Sequence, residues 1–135
     1  SYNDDIDFFL FCVALPYLNA AEAEMHLNGE NSAKAKSYID ALRNRAHAAV
    51  RASYSLNDVL DERARELYCE GQRRTDLIRF NQFGGSQATY KWELKGGSSN
   101  GTTFDKYLNV YPIPSSEILS NKNLTQIDGY NEVQN

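Results

Sequence analysis

Glu62, Glu66 and Glu70 stand four residues apart, and Arg73, Arg74, Asp76 and Arg79 follow them closely. Acids on one helical ridge bind metal ions or move protons when nothing neutralises them. Here neutralising partners are dense. Asp61 precedes Arg65 and Glu70 precedes Arg74 by four residues, the favourable order for helical ion pairs. No histidine lies near the cluster, since His26 and His47 belong to other segments. The pattern therefore predicts a structural ion-pair network over Glu62, Glu66, Glu70, Arg73, Arg74, Asp76 and Arg79. It predicts no metal site, no catalytic group and no cofactor. Nothing elsewhere has the spacing of a Ser/His/Asp triad, a phosphate-cradling loop or a zinc signature, so an enzyme is not expected.

The second chemical asset is aromatic. Tyr90, Trp92, Phe104, Tyr107 and Tyr111 surround the loop Gly96-Gly-Ser-Ser-Asn-Gly101. Aromatic faces on loops suit the C–H faces of sugar rings, with flanking Asn and Lys available to the hydroxyls. Trp92, Tyr90 and Tyr107 are the candidate glycan-binding residues. The same rings could instead cover the helical core, and both readings stand at this stage.

The elements that would carry these residues are mostly helical. A helix should begin near Pro16, tolerated in a first turn, and run to about Leu27 before Asn28-Gly29. Ahead of it Phe8-Phe-Leu-Phe11 reads as extended. A second helix starts at about Ser32, capped by Asn31 or Ser32, with Ala35, Tyr38, Ile39, Leu42 and Ala46 on one face. The pair makes an antiparallel hairpin, and the small residue Ala35 gives it a tetratricopeptide-like character, although no second copy of that repeat is visible. A third, long amphipathic helix is expected from Leu56 to Phe80. Ser55 and Asp58 would form its capping box, and Leu60, Ala64, Leu67, Tyr68, Gly71, Thr75 and Ile78 its apolar stripe. Gly71 inside that helix implies close backbone approach to a neighbour.

After Gly84-Gly85, the alternation Tyr90/Trp92/Leu94 against Lys91/Glu93/Lys95 reads as a short strand, and Tyr107–Tyr111 as another extended run; the pair makes either a loose hairpin or an irregular excursion on a helical body. A tail with Pro112 and Pro114, a short helix near Ser116–Leu119 and a coil to Tyr130 complete the chain. Cys12 and Cys69 form no metal motif; they read as small buried thiols, with a disulfide as the alternative.

Composition bounds the rest. The chain has 135 residues, 41% of them hydrophobic and 24% charged, with a net charge of −4. That size suits one domain with a real core, and the acidic balance argues against nucleic acid or an anionic membrane surface. No apolar run approaches the roughly 20 residues a spanning helix needs.

The blocks together resemble the C-terminal part of the SusD/RagB family of surface nutrient-binding lipoproteins. The resemblance rests on Tyr17-Leu-Asn-Ala-Ala-Glu-Ala23, Glu62-Arg-Ala-Arg-Glu-Leu67, Glu70-Gly-Gln-Arg73, Asp76-Leu-Ile-Arg79 and Trp92-Glu-Leu-Lys-Gly-Gly97. Downstream it rests on Tyr111-Pro-Ile-Pro114, Glu117-Ile118, Asn121-Lys-Asn-Leu-Thr-Gln126 and Gly129-Tyr130. It implies a mainly α, SusD-like body: the hairpin, the long helix, irregular or short-strand loops, and an extended C-terminal tail. Residues 1–135 would be a C-terminal domain of a longer protein. The resemblance also implies non-catalytic binding of glycan or another nutrient oligomer for a SusC-like TonB-dependent transporter. The protein would sit on the outer-membrane surface, held by a lipid anchor absent from this chain. A tetratricopeptide-type scaffold that binds proteins and no sugar is the alternative.

Overall fold

Local signals set the ends of the first two helices. The structure, a computed structural model, describes residues 12–130, and the expected extended run Phe8–Phe11 lies outside them. α1 spans Ala14–Asn28, with Pro16 in its first turn, and stops at Gly29, whose φ of 86° suits a residue without Cβ. α2 spans Ala33–Arg45, and its Ser32 cap accepts a hydrogen bond from the Ala35 N–H at 3.3 Å. The turn between them is pinned by Glu24, whose carboxylate accepts from Ser32 Oγ and Asn28 Nδ2, each at 2.8 Å. Those two hydrogen bonds hold its pKa below the ordinary value.

α1 packs against α2 and also against α3, which spans Leu56–Glu66. Leu18, Ala21 and Met25 of α1, Ala35, Ile39 and Leu42 of α2, and Val59 and Leu60 of α3 are buried. Each large side chain hidden in this way contributes about 1.5–3 kcal/mol relative to leaving it in water. Tyr17 and Tyr38 meet edge to face across the hairpin at 6.0 Å. α3 opens with the expected capping box: Ser55 Oγ accepts from Asp58 N at 3.2 Å, and Asp58 Oδ2 accepts from Ser55 N at 2.8 Å. Burial opposes the Asp58 charge, but the Ser55 hydrogen bonds and the Arg51 guanidinium outweigh it and lower the carboxyl pKa.

The long helix expected over 56–80 is two helices. α3 ends at Glu66, and α4 spans only Arg73–Arg79. Between them Cys69 (φ 63°) and Gly71 (φ 74°) take left-handed conformations that no continuous α-helix contains. A Cβ on Gly71 would meet nothing within 4 Å, so the glycine serves the backbone angle and not the close approach inferred from its place in the stripe. The break also turns Tyr68, a stripe residue by periodicity, out to solvent at 81% exposure. Cys69 is exposed as well, so the reading of both thiols as buried in helices fails for it, and both cysteines are free.

The chain forms two compact units, one ending at Asp76 and the other beginning at Leu77. The second unit has no β-strand among its described residues. Of the two readings of this stretch the irregular excursion is the one observed, not the hairpin: the chain has 3-10 turns at Lys95–Gly97 and Lys106–Asn109 and one isolated parallel bridge, Gly84 to Phe104. At that bridge the backbone comes so close that a Cβ on Gly84 would sit 2.6 Å from Asp105 O. α5 spans Ser115–Ser120. The tail is extended at Pro112–Pro114, where the Gln126 carboxamide takes the place of a partner strand. Its Oε1 accepts from Ile113 N at 3.0 Å, and its Nε2 donates to Ile113 O at 2.9 Å.

The turn between α3 and α4 gives a direct test. Gly71→Ala should lower unfolding stability by about 1–2 kcal/mol through backbone strain alone, and Gly71→Asn should recover part of it. Urea melts of the three proteins compare them; equal stability of Gly71→Ala and the parent would contradict the left-handed turn.

Candidate functional site

The acids of α3 find their partners on other elements. Glu62 Oε2 accepts from Arg43 Nη1 on α2 at 2.7 Å and from Arg65 Nη2 on its own helix at 2.5 Å. Glu66 pairs with Arg45, also from α2. Arg43 and Arg45 lie in the last turn of α2, where cations also oppose the helix dipole. Arg43 Nε further ties down the following loop by donating to Ala49 O at 2.8 Å.

Deeper still, Arg63 and Asp76 are each about 3% exposed at the side chain, with Arg63 Nε 2.9 Å from Asp76 Oδ2. Arg63 Nη1 donates to Asn19 Oδ1 of α1 at 2.8 Å and lies 3.9 Å from Glu22. One guanidinium thus joins α1, α3 and the start of α4. Sequence reasoning had not singled out Arg63 or Arg43. Of the other network candidates, Arg73 donates from Nη1 to Leu60 O at 3.0 Å, and the Arg79 guanidinium lies 5.1 Å from the Phe80 ring centre. Glu70 and Arg74 sit half-buried around the α3–α4 break. The helical pairs Asp61–Arg65 and Glu70–Arg74 are not among the ion pairs found, because Arg65 turns to Glu62 and the break separates Glu70 from Arg74. Glu62, Glu66 and Asp76 each lie against a guanidinium, whose positive charge competes with a metal ion for the carboxylate. Among the described residues no three His, Cys, Asp or Glu side chains converge as a metal site.

The aromatic candidates fall into two places in the C-terminal unit. Tyr90 and Trp92 are neighbours at 6.2 Å between ring centres, and Trp92 meets Phe104 edge-on at 6.4 Å. Tyr107 makes its ring contact with Tyr130, at 4.8 Å. Trp92 is 40% exposed; Tyr90 and Tyr107 are half-buried.

At the centre of the first group lies Lys95, only 1% exposed. The strand alternation had put it outside with Lys91 and Glu93, among the cations available to a sugar. Its Nζ instead donates to Tyr90 O at 2.9 Å and Phe83 O at 3.2 Å. It also lies 4.8 Å from the Trp92 ring centre and 5.0 Å from that of Phe104. Carbonyl dipoles and ring quadrupoles stand in for the counter-ion. Burial, with Lys91 nearby, pulls its pKa below the usual lysine value. The left-handed Leu94 (φ 63°) turns this side chain inward, and sequence pattern carries no sign of that angle. The outcome is an ordered aromatic patch whose one clearly exposed ring is Trp92.

The family model described as "SusD family" matches residues 1–130, and the chain belongs to that family. It is 42% identical over 127 residues to the starch-binding protein SusD of Bacteroides thetaiotaomicron, across 93% of this chain. Among solved structures it is similar to the surface glycan-binding protein A from Bacteroides uniformis. That likeness has a TM-score of 0.70 and 28% identity, covering 88% of this chain and 27% of the other. The chain spans 22% of the length of the SusD relative, so it corresponds to a fraction of such a protein. The mainly helical fold expected from sequence is the fold observed.

Two substitutions probe the buried charges. Arg63→Met should destabilise by about 3–5 kcal/mol, because Asp76 stays buried without its guanidinium, and adding Asp76→Asn should return part of that loss. Denaturant titration of single and double variants measures both, and simple additivity would contradict the coupling. Lys95→Met should cost about 1–3 kcal/mol by stranding the Phe83 and Tyr90 carbonyls. Urea unfolding followed by Trp92 fluorescence reads it, and a stabilised variant would contradict it.

Proposed function

We propose that this chain is the C-terminal part of a non-catalytic surface protein that holds glycan for import. The full-length protein would pass oligosaccharide to a SusC-like TonB-dependent transporter at the outer membrane, anchored there by lipid. Family membership supports the binding role, as do the names of the relatives: a starch-binding protein and a surface glycan-binding protein, neither named as an enzyme. No helix among the described residues is long and apolar enough to cross a membrane, and in this reading attachment comes from outside this stretch.

The observation in this chain that carries the reading is the Tyr90–Trp92 pair. Trp92 presents an exposed indole fixed from behind by Lys95, and a pre-ordered ring loses little freedom when a sugar stacks on it. Tyr107, paired with Tyr130, is a secondary candidate. Glu62, Glu66, Glu70, Arg73, Arg74, Asp76 and Arg79 take the part of scaffold. A protein-binding scaffold remains the second reading, favoured by the tetratricopeptide-like packing of α1 on α2.

Trp92 is the chain's single tryptophan, so its emission reports its own surroundings. Titration with soluble oligosaccharides, starch fragments first, should shift that emission saturably. Replacing Tyr90 with Ala should weaken the response about three- to tenfold, in line with the loss of one aromatic contact. A flat response across a broad glycan panel would leave the scaffold reading for this part of the protein.

A further inference from the structure

Between the end of α2, the loop over 46–54 and the outer face of α3 lies a cleft of about 370 Å³. Arg43, Ala46, Ala48, Arg51, Glu62, Arg65 and Glu66 line it. Its charges are layered. The carboxylates are inside, with Glu62 and Glu66 only 5% and 10% exposed at the side chain. The guanidiniums of Arg51 and Arg65 are outside, 50% and 51% exposed. Three arginines against two glutamates leave the lining one charge positive on a chain of net −4.

A guanidinium offers five N–H donors across three nitrogens. Arg65 commits Nη2 to Glu62, and Arg51 commits Nη1 to Asp58. Those are the side-chain bonds found for these two residues, so each keeps two further nitrogens for a ligand. The existing ion pairs limit the swing of both side chains, and such restraint lowers the cost of ordering them around a guest. Ala46 and Ala48 add small apolar surface beside the donors. The volume lies at the lower end of small-ligand pockets and suits a molecule of monosaccharide size.

We propose that this cleft binds a small organic carboxylate of sugar-acid type, its carboxylate received by the free edges of Arg51 and Arg65 and its carbon skeleton resting on Ala46 and Ala48. Guanidinium forks match the planar two-oxygen geometry of a carboxylate. The site lies in the N-terminal unit and is independent of the Tyr90–Trp92 reading, so either stands without the other.

The test titrates the nitrogen-15-labelled chain with glucuronate, glucose and inorganic phosphate and follows backbone amide shifts. Glucuronate should move amides over 46–51 and around Arg65 saturably, whereas glucose should not. Arg51→Gln and Arg65→Gln should each weaken glucuronate at least about tenfold, as loss of a charged hydrogen bond does. Arg51 is half-exposed and outside the core, so its variant keeps the fold and its amide spectrum verifies that. No glucuronate shifts in this region, equal response to glucose, or phosphate binding as tightly as glucuronate would each overturn the proposal.

Discussion

A charge buried between helices must bring its own solvation, and that requirement organises the N-terminal unit. Arg63 is nearly sealed from water, and so is Asp76. Removing two ions from water costs several kcal/mol each before their attraction returns anything. The return depends on geometry, and geometry here fixes the relation of elements distant in sequence. Arg63 reaches Asn19, 44 residues away, as well as Asp76. Arg43 and Arg45 reach Glu62 and Glu66 across 19 and 21 residues. Apolar burial of Leu18, Ile39 and Leu60 supplies the driving force, but such contacts tolerate sliding. The guanidinium pairs do not tolerate it, so they act on register more than on net stability.

Lys95 poses the same problem in the C-terminal unit and meets a different solution. Its ammonium has two carbonyl oxygens and two aromatic faces, and no carboxylate is among the partners found for it. Irregular chain makes this possible, because carbonyls not spent in helix or sheet can converge on one point. The glycine- and serine-rich loop is therefore joined to a buried, fully engaged cation at Lys95. A cation beneath Trp92 and Phe104 does for that loop what a small apolar core does elsewhere.

Legibility followed the range of the forces involved. Gly29, Ser32 and the Ser55–Asp58 box act within four residues, and the helix ends they mark were readable directly. Hydrophobic period was a poorer guide over 60–78, since Leu60 and Leu67 keep the stripe while two positive φ angles between 66 and 73 break the helix. Gly71 was noticed but given the wrong purpose, because a sequence shows the missing Cβ and not the angle that requires it. The same limit hid Lys95: alternation assigns a lysine to solvent, and one left-handed leucine reverses it. Of the seven residues expected to form the network, Glu62, Glu66 and Asp76 pair with arginines outside that set, and local pairing rules did not point to those partners. The α2 arginines became visible as partners only once α2 and α3 were in the same unit.

Around the cleft Glu62 and Glu66 lie within and Arg51 and Arg65 without, while Arg43 stays inside at 12% side-chain exposure; the outer layer follows from the shapes of the groups. A carboxylate is compact and can be enclosed by a few donors. A guanidinium rides on a long stem that covers apolar surface while its head reaches water. Packing such pairs at the edge of a helical unit therefore tends to hide the negative partner and display the positive one, as Glu62 and Arg65 do at 5% and 51% exposure. An acidic chain thereby acquires a local cationic surface without any excess of basic residues. Net charge, which argues against broad anionic partners such as nucleic acid, does not speak to a pocket of this size. At distances of a few ångströms, the ligand meets the outer layer of the ion pairs before it meets the chain's average.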